Sequence, residues 1–88
     1  MDIHEFEETA FQALVTDIND QIASLTRQLK MQYVKYLKLK MRVAYIGEAD
    51  LDSDDEREAL KILPQNIQAM EQELARHQER LRKVKGSP

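Results

Sequence analysis

The sequence predicts an all-α protein: an antiparallel two-helix hairpin of coiled-coil type that dimerises into a four-helix bundle. Three observations carry this. Two long segments space their apolar residues as helices do, a short stretch between them (47–53) holds the stop and start signals, and the two segments carry their charges in opposite order. The 88 residues form a single helical-hairpin domain, and with no Cys there is neither a disulfide nor a thiolate metal site to hold it.

Helix one is expected over about 2–46. Asp2 with Glu5 reads as a capping box, and Met1 with Phe6 as a hydrophobic staple, so the helix begins almost at the first residue. Phe11, Leu14, Ile18, Ile22, Leu25, Leu29, Tyr33 and Tyr36 follow at steps of three, four and four, an eleven-residue repeat whose stripe runs nearly straight. Residues 37–43 alternate as a strand would, but no second such run exists to pair with, so helix is preferred. Val34, Leu37, Leu39, Met41, Val43 and Ile46 then spread around much of the circumference, and this end of the helix needs cover on more than one side.

The tip follows from its punctuation. Gly47 stands where a left-handed glycine ends a helix, and Ser53 with Glu56 forms a capping box that starts the next. Helix two is expected over about 54–85. Leu60, Leu63, Ile67, Met70, Leu74, His77, Leu81 and Val84 make a heptad seam, Pro64 implies a kink or short break, and Gly86, Ser87 and Pro88 end the helix.

Charge gives the register. Before Arg27 the charged residues are all acidic (Asp2, Glu5, Glu7, Glu8, Asp17, Asp20), and Arg27, Lys30, Lys35, Lys38, Lys40 and Arg42 follow without an acid between them. Helix two starts acidic and ends basic. An antiparallel fold sets Asp17 and Asp20 near Arg80 and Arg82, and Lys38 to Arg42 near Glu56 and Glu58. It leaves residues 1–14 beyond the reach of helix two. A two-helix core is thin, so a second copy is expected to cover Ile3, Phe6, Phe11, Leu14, Leu39 and Met41.

Candidate sites are few. Asp50, Asp52 and Asp54 share the spacing of the first calcium-loop ligands, but Asp55 and Lys61 stand where such a loop needs Gly and Glu, so no metal site is expected. Ala49-Asp50-Leu51, with Glu56 or Glu58 as a second acid, resembles the hairpin tip of Gre-type transcript cleavage factors, which carry Gly-Asp-Leu and nearby acids to hold magnesium in RNA polymerase. The likeness is confined to the tip, and Ala49 replaces the glycine. It implies an alternative role: a transcription-associated factor presenting an acidic tip (Asp50, Asp52, Asp54, Glu56) to the polymerase. His77 beside Glu73 and His4 beside Glu8 lack the convergent carboxylates of a di-iron bundle and read as packed or rim histidines. Nothing places a hydroxyl beside an activating base.

The expectation is therefore a non-enzyme without cofactors, a protein–protein interaction module of adaptor, chaperone or inhibitor type that works as a homo-oligomer. Tyr33, Val34, Tyr36, Leu37, Tyr45 and Ile46 are its expected partner-binding residues, because tyrosines cluster there and tyrosine is favoured at interface anchors. The basic stretch 27–42 offers a third reading, binding to nucleic acid or a membrane surface. The net charge of -3 and the matching acids argue against it. The acidic opening of the chain and the lack of any apolar run near ~18 residues point to a cytoplasmic protein with no membrane span.

Overall fold

The computed structural model describes residues 1–51 and 53–86. It is an all-α antiparallel hairpin of 68 × 23 × 17 Å, built from α1 (Glu7–Tyr45) and α2 (Asp54–Gly86), with a short 3₁₀ turn before each. The pairs Gln21 with Arg80, Tyr33 with Glu71 and Arg42 with Glu56 fix the antiparallel sense, since later residues of α2 meet earlier residues of α1.

The start of the chain departs from the expected capping box. Asp2 caps by accepting from the His4 backbone N–H at 3.0 Å, while Glu5 donates its own N–H to the Asp2 carbonyl at 3.1 Å. Those shorter spans wind Ile3–Phe6 as a 3₁₀ turn, and α-helix begins only at Glu7. Met1 is fully exposed, so the staple with Phe6 does not form.

Along α1 the inward stripe has a different period from the one expected. Ile18, Leu29 and Leu39 are buried, and Val15, Ile22, Leu25, Gln32, Tyr36 and Val43 are half-buried between them, all at steps of three and four. This is a heptad seam, and it takes Gln32 where the eleven-residue reading took Tyr33. The cause lies in α2, whose seam is the expected one: Leu63 and Ile67 are buried, and Leu60, Met70, Leu74, His77, Leu81 and Val84 are half-buried. Two helices in contact along their length share one seam, so α1 must present the period its partner presents. Above Val15 helix α2 runs out, and Phe11 and Leu14 stay exposed.

Residues 37–43 are helical. α2 continues through Pro64, which is half-buried and removes the donor that the Leu60 carbonyl would otherwise receive. Helix α2 includes Gly86; Ser87 and Pro88, expected at its end, lie outside the described residues.

Gly47 ends α1, though not as a left-handed cap. The N–H groups of Ile46 and Gly47 both reach the Arg42 carbonyl, at 2.9 and 3.1 Å, and Gly47 itself lies at φ 124°, ψ 159°. That region is open essentially to glycine alone. The chain then turns through a 3₁₀ segment (Glu48–Asp50), closed by Asp50 donating to Gly47 and Leu51 to Glu48, both at 3.1 Å. The consequence is a buried residue inside what reads as a solvated acidic loop. Leu51 is only 2% exposed and closes the end of the core against Leu39 and Leu63. Ser53 starts α2 as expected, accepting from the Glu56 N–H at 3.3 Å.

Candidate interaction surface

The charged groups at the tip are organised by Arg42. Its Nε donates to Asp50 Oδ2 at 3.1 Å, its Nη2 to the Asp50 carbonyl at 2.7 Å, and its Nη1 to the Glu56 carboxylate. The hydrogen bond to Glu56, and after it the one to Asp50, raises the Arg42 pKa further above its ordinary value. Two of the four acids proposed to project from the tip are thus turned back onto α1. Asp54 is fully exposed on its side chain and pairs at 3.2 Å with Arg57, while Asp52 lies outside the described residues. Among the described residues no three His, Asp or Glu side chains converge as a metal site would require.

The remaining charges divide differently from the expected register. Arg42 meets Glu56 as expected, but Arg82 turns to Glu79 on its own helix at 2.8 Å, and Arg80 donates to Gln21 at 3.1 Å and to His77 Nδ1 at 2.9 Å. His77 is a seam residue with Glu73 3.7 Å away, and His4 pairs with Glu7 rather than Glu8. Among the described residues Asp17, Asp20 and Arg27 have no ion-pair partner, because they project from the side of α1 turned away from α2. Glu79 is held below the ordinary carboxylate range by its hydrogen bond to Arg82.

The proposed partner-binding residues separate into two groups. Tyr45 (84% exposed), Ile46 and Val34 lie open to solvent, and Leu37 is exposed nearly as far. Tyr36 is half-buried against the Leu39–Leu51–Leu63 cluster, and Lys40 Nζ lies 5.3 Å from the centre of its ring. Tyr33 sits at the edge of the seam with its hydroxyl donated to Glu71. Among the residues proposed for an oligomer interface, Ile3, Phe6, Phe11, Leu14 and Met41 are exposed. Leu39 is not: at 7% exposure it belongs to the hairpin's own core, because its place in the heptad faces α2.

No protein-family model, curated protein or solved structure matches this chain.

One residue of this surface escapes the sequence reading. Met31 is 69% exposed and joins Val34, Leu39 and Ala59 in lining an open groove of about 710 Å³ between α1 and the start of α2, with Lys35 and Lys38 beside it. Its signal is present in the sequence as a second apolar row, Met31, Val34, Met41 and Tyr45, which the alternating run at 37–43 obscures. Among the described residues no helix is long and apolar enough to cross a membrane.

Proposed function

We propose that the chain is a non-catalytic protein–protein interaction module, of the adaptor, chaperone or inhibitor type, and that it works as a homodimer whose two hairpins form a four-helix bundle. One observation carries this reading: the tip-proximal third of α1 is apolar outside the α2 seam as well as within it. Met31, Val34, Leu37, Met41, Tyr45 and Ile46 are all substantially exposed. Large apolar side chains gathered on one helical stretch are the mark of a surface that meets another protein. The hairpin core uses one face of α1 and leaves this one over.

The test pairs affinity capture from the native host with substitution of two residues that the hairpin does not need. A specific partner retained by the natural sequence should be lost with Leu37→Ala and Tyr45→Ala, at a cost on the order of 1–4 kcal/mol per anchor, while helicity is unchanged. Retention of every captured protein by the double variant overturns the assignment of this surface.

A further inference from the structure

The oligomer proposed above can be given a geometry from charges that the hairpin leaves unsatisfied. Asp17, Asp20 and Arg27 have no ion-pair partner among the described residues, although the charge order suggested that α2 would supply Arg80 and Arg82 to the two acids. With Ser24 between Asp20 and Arg27 they lie on a second heptad row of α1, at steps of three and four, outside the seam that faces α2. Ala10 and Ala13 precede them in that row, and Met31 and Val34 follow. All of these side chains are exposed except Ser24, which is half-buried.

The row is complementary to itself when reversed. Small residues and acids occupy its first half, and bases and large apolar residues its second. We infer that a second copy of this chain packs its α1 antiparallel along this row, about a two-fold axis at the level of Ile22 but outside the seam that holds it. Asp17 of each copy then faces Arg27 of the other, Asp20 faces Ser24, and Ala13 and Ala10 face Met31 and Val34. Small against large is how facing helices interdigitate, and the contact is closed because each copy uses the same surface. The N-terminal overhang becomes functional in this arrangement: Ile3, which α2 cannot reach, lies against Met41 of the other copy. The overlap runs along roughly 55 Å of helix, long enough for the area of a stable dimer. Leu37 lies on a flank of α1 outside this row and stays free for a different protein.

The proposal rests on the homodimer part of that reading and sets the four helices side by side, α2–α1–α1–α2, in place of a closed bundle; the test separates the two. Asp17→Arg and Arg27→Asp, each alone, should weaken self-association on the order of 10-fold or more, because in a two-fold dimer each reversal sets like charges together twice. The two substitutions in one chain should restore it. They are ten residues apart on one helix, roughly 15 Å, so rescue has no explanation within a single chain. Sedimentation at low salt measures association, and far-ultraviolet circular dichroism confirms that each variant is folded. A natural dimer that ignores both reversals, or a double variant that stays weak while folded, overturns this geometry and leaves the dimer standing on another surface. A natural chain that is monomeric at high micromolar concentration overturns both.

Discussion

Arg42, near the end of α1, donates to the Glu56 carboxylate in the first turn of α2, and its Nη2 holds the Asp50 carbonyl at 2.7 Å. One side chain thereby closes the turn from both sides. Arg42→Met should lower the melting temperature and speed amide hydrogen exchange at residues 48–51 while leaving the far end of the hairpin protected. Uniform loss of protection along both helices would show that the turn is not a local unit.

Leu51 should matter more than any charged residue of the tip. Leu51→Ala removes a nearly fully buried side chain from the Leu39–Leu63 cluster, and about 2–5 kcal/mol of stability should go with it. Denaturant melts of this variant against Leu37→Ala, which is exposed, make the comparison. Equal effects would refute the burial of Leu51.

Gly47→Ala meets no steric obstacle, since nothing lies within 4 Å of the added methyl group, yet the backbone there has φ 124°. A cost of about 1–3 kcal/mol is expected from the dihedral alone. A neutral melt would mean that the turn adopts another conformation in solution.

Tyr36 and Tyr45 should part company. Tyr36→Ala opens the core cluster and should lower the melting temperature, whereas Tyr45→Ala, at an 84% exposed site, should leave it unchanged and act only on binding. Melts of the two purified variants decide this before any partner is known.

The Glu79–Arg82 pair makes a pH prediction. Because the folded Glu79 pKa is depressed, the pair's small contribution is present above the unfolded carboxyl pKa and is lost as pH falls through the folded value. Carboxyl resonances followed by NMR should show Glu79 titrating below the exposed glutamates, and Arg82→Ala should return it to their range. No change on removing Arg82 would contradict the pairing.

The sequence by itself determined the hairpin and the two helix ends at its tip. Gly47 and Ser53 are local signals that act through the backbone next to them, and the α2 seam from Leu60 to Val84 is a strict period that needs no knowledge of its partner. Three features were decided only by tertiary structure. The α1 seam passes through Gln32 rather than Tyr33, because α1 holds more apolar residues than one seam can use and α2 selects which set faces it. Leu39 and Leu51 enter the core for the same kind of reason: one shares that selected face, and the other is swung inward by a turn whose direction Gly47 and Arg42 set together. Asp17 and Asp20 look from the sequence like partners for α2. Spacing along a chain fixes how far apart two charges lie, but which side of the helix they occupy relative to the seam decides whether they can meet, and that side is known only once the helices have packed.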